Sequence, residues 1–278
     1  MEYEQALKAL ELNLEGKCQL LFGKTSKLTI IFVKIQDAVH RRFQPQIEEY
    51  WKKWKESNPN GSDEPVASLM SIVSNGDGIT IRVRRKYFSG HVYGSATRPP
   101  KIGFTTGNWD SGKVLALSIG AIAITLPSEK YPNGCIIFSK RKQTAFNCGE
   151  YTMLPSGYIQ PEKDCEEKGE RKFIPLKKPF ERERKEELPG LNQHGELKVL
   201  GLIYNCVGSK QPLLVASVRL LYTAEEAEQI LKSRKPDWEV DGYVFVPADI
   251  QSLKNFAKNN PVCFDALCRM ALWVADNY

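Results

Sequence analysis

The hydrophobic pattern in the second half of the chain predicts a series of buried strands. An unbroken apolar run, Leu115–Leu126, has the length and the branched residues of a strand that is covered on both faces. The turn sequence Pro-Asn-Gly at 132–134 leads into another apolar segment at 135–141, and the two segments predict a β-hairpin. Two further strand candidates follow at 197–204 and 212–222.

The first part of the chain contains both strand and helix patterns. Residues 28–35 predict a strand, and Asp37 is suited to cap the helix that follows it. Tyr50, Trp51 and Trp54 recur at helical spacing along that helix. This spacing favours an aromatic stripe that faces the core over a platform that stacks on bases.

A turn-rich section separates these patterns from the strands of the second half. Residues 97–112 contain several prolines, glycines and asparagines or aspartates, which are typical of loops. We therefore predict an N-terminal α+β region at 1–111 and a second domain at 112–278 that ends in a helix.

Composition places the chain among intracellular globular proteins. Apolar residues make up 42% of its 278 residues, and the longest apolar run is shorter than the ~20 residues of a membrane-spanning helix. The chain starts with Glu2 and Glu4 instead of the basic and apolar residues of a secretion signal. Its seven cysteines have no regular spacing, which favours reduced thiols, and its three separated histidines form no zinc pattern. We therefore expect a cytoplasmic protein without a membrane segment.

The excess of positive charge, +6 by formal count, favours anionic partners. Arg82 and Arg84 lie on an alternating segment at 79–84, which predicts a strand with both arginines on one face. They either protect a sheet edge by their charge or clamp a phosphate or diphosphate group. No nucleic-acid-binding motif accompanies the charge, so nucleic acid is not the partner that we expect.

A run of six charged residues at 182–187, Arg-Glu-Arg-Lys-Glu-Glu, carries the strongest chemical signal. On a helix that begins near Pro179, Glu183, Glu186 and Glu187 share one face. Like charges at these spacings repel by roughly a few tenths of a kcal/mol per pair. Such a face needs full solvation, basic neighbours or a divalent cation, and each of these remains open from the residues alone.

Together with its surroundings this run resembles the Nudix box, whose pattern is G-x5-E-x7-R-E-U-x-E-E-x-G-U, with U an aliphatic residue. Gly157 takes the place of the leading glycine, and residues 182–187 supply the R-E and E-E pairs. Three features depart from the pattern. Lys163 stands at the early glutamate, Arg184 stands at the aliphatic position, and residues 164–181 form an insertion.

Segments on both sides of the box extend the resemblance to roughly residues 112–260. Residues 149–157 resemble the stretch G-x-W-x-L-P-G-G, and residues 238–247 resemble the acidic and then aromatic strand near the end of Nudix domains. The resemblance implies an α/β (α+β) fold, a Nudix-type α/β/α sandwich with a mixed sheet, preceded by a smaller α+β N-terminal region.

The implied activity is attack by water on the diphosphate linkage of a nucleoside diphosphate derivative, such as a nucleotide sugar or ADP-ribose. The resemblance implies Mg²⁺ or Mn²⁺ as cofactor, because a cation neutralises charge on the phosphate oxygens and makes water more acidic. Glu183, Glu186 and Glu187 are the implied metal ligands, with Glu186 also catalytic. Glu239 is the candidate general base or a further ligand; an exposed turn carboxylate is the other interpretation. Arg182 would hold the helix to its neighbouring loop.

Substrate contacts are expected from arginines and from the box glycine, namely Arg82, Arg84, Arg141 and Gly157. Lys163 has no lone pair for a metal when it is charged. Either one of three nearby glutamates replaces it as a ligand, or the site binds fewer ions; these glutamates are Glu162, Glu166 and Glu167.

Two functions from different classes remain open. The first is the hydrolase, which the R-E and E-E pairs favour. The second is a Nudix-fold module that binds a nucleotide ligand or a protein partner without cleavage, which Lys163 and the interrupted box favour. We favour the hydrolase, since three carboxylates at metal spacing have little use in a pure binding site.

Overall fold

The computed structural model describes residues 1–25, 27–33, 44–59, 61–75, 78–97, 116–142, 148–168, 171–207, 211–234 and 239–278. Within these ranges the chain has the predicted mixed α+β architecture, and its strands form two mixed sheets. Its described helices are α1 (Tyr3–Ala9), α2 (Gln44–Ser57), α3 (Phe88–Thr97), α4 (Pro161–Asp164), α5 (Lys177–Glu187), α6 (Ala224–Lys232), α7 (Ile250–Asn259) and α8 (Phe264–Asn277).

In chain order the described strands are β1 (Cys18–Phe22), β2 (Lys27–Val33), β3 (Pro65–Asn75), β4 (Gly78–Tyr87), β5 (Ser118–Ile124), β6 (Cys135–Arg141), β7 (Tyr151–Met153), β8 (Ser156–Tyr158), β9 (Glu166–Lys168), β10 (Arg171–Phe173), β11 (Lys198–Asn205), β12 (Pro212–Arg219) and β13 (Val240–Pro247). The longest of the described strands are β3 and β4, and the shortest have three residues each.

The first sheet has β5 at its centre. Its strand order is β1-β11-β12-β5-β6-β13, with β7 paired to β6 and β8 paired to β5. β12 and β5 are parallel, whereas β5 and β6 form the antiparallel hairpin that the turn at 132–134 predicts. Every residue of β5 is buried, because Ile122 and Ile119 point into separate hydrophobic clusters on the two faces. This confirms the buried strand predicted from the apolar run.

Helices cover one face of the first sheet, and helices and strands cover the other. α1, α7 and α8 pack on the first face through residues such as Leu7, Leu253 and Trp273, which join Phe138 of β6 in one cluster. α5, α6 and the second sheet pack on the opposite face, where Phe180 and Ile81 are fully buried. These two clusters form the core on which the candidate site is built.

The second sheet has the order β3-β4-β2-β10-β9 and meets the first sheet at β3. The Ala67 amide donates to the Ile159 carbonyl at 2.7 Å, and the Leu117 amide donates to the Ala67 carbonyl at 2.7 Å. β3 is therefore hydrogen-bonded to the residue just before β5 and to the residue just after β8. This contact brings α2 and α3 close to the end of β8.

Each half of the chain contributes a strand to the other half's sheet. β1 pairs with β11 in the first sheet, and β10, from the predicted insertion, pairs with β2 in the second. The predicted boundary at 111–112 lies outside the described residues, as does Asp37, and the division into two domains stays a prediction. None of the described helices is long and apolar enough to cross a membrane.

Candidate functional site

Helix α5 carries charged side chains on the face that it turns toward the core. Pro179 occupies the first turn, where its missing N–H has no helical partner, and Gly190 follows the helix with φ +91°. Phe180 is fully buried, and Glu183 and Glu187 are only 7% and 6% exposed at the same helical spacing. An ordinary amphipathic helix would place apolar residues there, so the acidic positions indicate a site.

The backbone of β8 lies directly against these carboxylates. A Cβ atom at Gly157 would come within 2.1 Å of the Glu183 carboxyl carbon, so any larger residue here would have to displace this carboxyl. The Ser156 amide donates to Glu187 Oε2 at 2.6 Å. Glycine and the amide therefore let two glutamates of α5 approach the sheet closely.

Arg182 fastens α5 to the segment before it. Its guanidinium donates to Asp164 through Nε at 3.3 Å and Nη2 at 3.0 Å, and to the Tyr158 carbonyl at 2.7 Å. Nη1 donates to Glu183. Asp164 is 1% exposed, which makes the ion pair a well-shielded contact.

A second arginine, Arg141, lies beside Glu239. Arg141, at the end of β6, pairs with Glu239 at 2.5 Å. Glu239 immediately precedes β13, and the hydroxyl of Tyr243 in that strand donates to the Glu187 carbonyl at 2.9 Å. β13 therefore links the Arg141–Glu239 pair to the end of α5.

These groups surround one cleft of about 860 Å³. Glu183, Glu186, Glu187 and Glu239 all line it, together with the backbone at Gly157. The cationic residues that line it are Arg141, Lys163, Arg182 and Arg269. The volume is within the range of roughly 300–1,000 Å³ that is typical of small-molecule sites.

Burial disfavours the charged forms of Glu183 and Glu187 and raises the pKa of both carboxyls. Burial raises the pKa of Glu183 to about 8, although Arg182 opposes the effect, and the charge of Glu186 adds to it. Burial, followed by repulsion from Glu183, also raises the pKa of Glu187 well above its usual range. Both carboxyls are therefore stabilised by a proton or by a cation.

The donor set fits a divalent cation. The three acidic side chains of α5 that line the cleft offer oxygen atoms, which Mg²⁺ and Mn²⁺ prefer, and the buried charge provides the attraction. No three His, Cys, Asp or Glu side chains within the described ranges already stand close enough to hold an ion by themselves. Magnesium usually takes only one or two carboxylates and completes its shell with phosphate and water.

Arg82 and Arg84 are not brought to this cleft. Both lie on β4 in the second sheet; Arg82 is exposed, Arg84 is 4% exposed, and neither is among the described residues that line the cleft. β4 pairs with β3 on one side and β2 on the other. The interpretation of this strand as a charged sheet edge is therefore wrong.

Lys163 and the three neighbouring glutamates face other partners. Lys163 lines the cleft and pairs with Glu64 at 3.1 Å. Glu162, Glu166 and Glu167 pair with Arg85, Lys178 and Lys172 respectively. None of the three is among the described lining residues, so the structure brings no replacement ligand from this segment.

Sequence reasoning missed several residues of the site. Asp164 lies in α4 and pairs with Arg182. The sequence could have indicated it, because an acidic residue stands here one position after Lys163, where the box pattern has a glutamate. Trp54, predicted to face the core, reaches the cleft, while Ile47 is the buried residue of α2. Gln211 and Arg269 also line the cleft, and only the packing of distant segments brings them there.

Comparison with known proteins gives no family assignment. No protein-family model and no curated protein matches the chain. The C-terminal domain of mouse MUTYH, solved with human PCNA, aligns at TM-score 0.32 and 12% identity over 56% of this chain and 86% of that chain. The MutT protein from Methanosarcina mazei Go1 aligns at 0.33 and 15% over 58% and 93%, and the Nudix hydrolase RenU from M. smegmatis at 0.33 and 12% over 58% and 86%. Similarity at these TM-scores and identities does not assign the chain to a family. The Nudix resemblance therefore remains an interpretation of its sequence.

Proposed function

We propose that this protein is a divalent-cation-dependent hydrolase that cleaves the diphosphate linkage of a nucleoside diphosphate derivative, such as a nucleotide sugar or ADP-ribose. The observation that carries the proposal is the arrangement of Glu183, Glu186 and Glu187 on one cleft, with Glu183 buried against the Gly157 backbone and Glu187 buried at the Ser156 amide. Acidic groups at this depth are costly unless a cation offsets them. A structural helix would gain nothing from them.

Glu183, Glu186 and Glu187 would hold Mg²⁺ or Mn²⁺. When bound there, the ion would supply positive charge to the diphosphate and lower the pKa of the attacking water. Glu186 is the most accessible of the three, since it is exposed whereas the other two are buried. It is therefore the residue best placed to contact both the ion and the substrate.

The chain's own residues have separate roles in the proposed reaction. Glu239 would accept the proton of the attacking water, and its pairing with Arg141 holds the carboxylate at the cleft wall. Arg141 can also donate to a phosphate oxygen, because a guanidinium has five N–H donors. The close approach of the backbone at Gly157 keeps Glu183 at the sheet.

A binding module without hydrolysis is the second candidate. Lys163 lines the cleft with a positive charge, and Arg182 already contacts Glu183, so part of the charge is balanced without a metal. In that case a nucleotide diphosphate would bind through Lys163 and Arg141. Binding would then be independent of divalent cations.

A substrate panel with a matched variant tests the proposal. Nucleotide sugars and ADP-ribose are incubated with Mg²⁺, with Mn²⁺ or with a chelator, and the released phosphate esters are measured. We expect cleavage only with a cation, and we expect Glu186→Gln to reduce it by at least a hundredfold. Glu228→Gln, on the exposed face of α6, is the control and should keep full activity.

Two results would overturn the hydrolase. One is cleavage by Glu186→Gln at the wild-type rate. The other is calorimetric binding of a nucleotide sugar that is equal with Mg²⁺ and with chelator, with no product after long incubation. The second result would establish the binding module instead.

A further inference from the structure

The cleft has an aromatic wall that the proposed reaction does not use. Trp54 of α2, Phe88 of α3 and Tyr158 of β8 line it, and Phe88 contacts the other two edge to face. The ring centroids of Phe88 and Tyr158 are 5.2 Å apart, and those of Phe88 and Trp54 are 5.9 Å apart. All three side chains are half-buried, so each presents part of its ring to the cleft.

Neighbouring groups hold these rings in place. Trp51 stacks on Trp54 with centroids 4.7 Å apart, and Gly61 packs against the far edge of the Trp54 indole. The Tyr158 hydroxyl is 3.0 Å from His91 Nε2. His91 Nδ1 accepts from the Ala116 amide, so the neutral ring carries its proton on Nε2 and donates to Tyr158. A wall with such support is arranged before any ligand arrives.

Next to this wall lies a buried amide oxygen without a partner. Gln211 is 6% exposed, lines the cleft, and donates from Nε2 to Ser118 Oγ at 3.0 Å. The Ser118 hydroxyl donates its own proton to the Pro212 carbonyl at 3.1 Å, so its oxygen can only accept from Gln211. This chain of bonds fixes the orientation of the amide. Gln211 Oε1 is left without a hydrogen-bond donor in the described structure.

The sheet register places that oxygen beside the aromatic wall. Ser118 is the cross-strand partner of Tyr158 in the antiparallel β5–β8 pair, so their side chains project on the same face. Gln211 is bonded to Ser118 and therefore lies on the same side as the Tyr158 ring. Buried acceptors are rarely left without a donor, which indicates that a ligand supplies one.

We propose that Phe88, Tyr158 and Gln211 form a subsite for the nucleobase of the ligand, so that the N-terminal region contributes base recognition to the cleft. A base has planar faces that stack on aromatic rings, and its edge carries N–H donors for Gln211 Oε1. A sugar would need several polar partners, and Phe88 offers none. The inference rests on the proposed function, since both place a nucleoside diphosphate derivative in this cleft.

Binding of nucleotides that are not substrates tests the subsite without any turnover. Intrinsic tryptophan fluorescence and calorimetry are measured with AMP, GMP, UMP, CMP and ribose 5-phosphate, each with the full chain and Mg²⁺. We expect at least one nucleotide to bind tenfold or more tightly than ribose 5-phosphate and to quench the emission of Trp54. Equal affinities for all five compounds would overturn the proposal.

Paired variants then locate the subsite. Gln211→Leu should weaken binding of the preferred nucleotide by roughly twofold to tenfold and leave the affinity for ribose 5-phosphate unchanged. It should also preserve the melting temperature, because the oxygen that it removes has no hydrogen-bond donor in the described structure. Phe88→Leu should weaken binding of the preferred nucleotide by roughly fivefold to a hundredfold. The controls are Gln229→Leu, at an exposed position of α6, and Phe256→Leu, which packs against the core cluster on the other face of the first sheet; both should leave nucleotide affinity unchanged.

The outcomes separate this inference from the hydrolase. If Gln211→Leu and Phe88→Leu, both folded by circular dichroism, bind the nucleotide as the wild type does, the subsite is wrong even when diphosphates are cleaved. If no diphosphate is cleaved but the variants lose base-dependent affinity, the hydrolase is wrong and the subsite stands.

Discussion

At the scale of single residues, the site depends on how closely Gly157 and Glu183 approach. The carboxyl of Glu183 occupies the space of a Gly157 side chain, and Arg182 holds that carboxyl in place. The glutamate therefore cannot move aside without breaking a buried contact. Steric fit and electrostatics at this point are coupled.

The first prediction is that Gly157→Ala destabilises the fold and removes activity. Its Cβ would lie 2.1 Å from Glu183 Cδ, so we expect a loss of about 1–3 kcal/mol in the free energy of unfolding. Urea denaturation of both proteins measures this difference in the free energy of unfolding. Gly242→Ala, in an open position on β13, is the control and should be close to neutral. Equal stabilities of the two variants would contradict the close contact.

The second prediction concerns Glu183 and pH. Its pKa is raised from 4.5 to about 8, so the folded state keeps a proton that the unfolded state releases. This contribution to stability is complete below pH ~4.5 and is lost as the pH rises through about 8. Glu183→Gln imitates the protonated form, and we expect it to be more stable than the wild type at pH 9 by roughly 1–3 kcal/mol.

Denaturation at pH 5 and pH 9 in the presence of a chelator gives this measurement. Mg²⁺ should recover stability in the wild type at pH 9 and have little effect on Glu183→Gln, since the variant lacks a ligand. An identical pH dependence in both proteins would show that Glu183 is ionised throughout.

At the scale of elements, α5 is held to α4 and β8 by Arg182. The helix has only one turn before its acidic residues, and Phe180 provides its main apolar contact. Arg184, at the aliphatic position of the box pattern, is 3% exposed and donates to the Leu191 carbonyl at 2.8 Å. Two arginines therefore position α5 where a more apolar helix would rely on packing.

The third prediction is that Asp164→Asn loosens α5. Asp164 is buried and makes two contacts to Arg182, so the loss of its charge should cost about 1–3 kcal/mol and reduce kcat/KM. Glu162→Gln is the matched control, because the side chains of Glu162 and its partner Arg85 are each about half exposed, far more than that of Asp164. That change should stay within about 1 kcal/mol. A comparable effect of both variants on stability would rule out the positioning role.

At the scale of the whole molecule, the two sheets share strands from both halves of the chain. β1 completes the edge of the first sheet beside β11, and α1 packs against α8. β9 and β10 extend the second sheet beside β2. The folding of each sheet therefore depends on residues that are far apart in sequence.

The fourth prediction is that residues 112–278 do not form a stable unit alone. The fragment lacks α1 and β1, which leaves the edge of β11 unpaired and exposes the surface that Leu7 and Leu10 cover. We expect the full chain to melt in a single cooperative transition, by calorimetry, and the fragment to aggregate or melt without a sharp transition. A sharp transition in the fragment would instead establish the predicted two-domain division.

The sequence by itself determined the mixed α+β class, the buried β5, the β5–β6 hairpin and the helical phase of the acidic residues. These features follow from periodicity and turn chemistry, which act between neighbours in the chain. Only the tertiary structure decided that Asp164 pairs with Arg182, that Arg82 and Arg84 are not among the described residues that line the cleft, and that α2 and α3 give it an aromatic wall. These positions depend on strand pairing between distant segments, which local patterns do not specify, because the residues that meet were never adjacent in sequence.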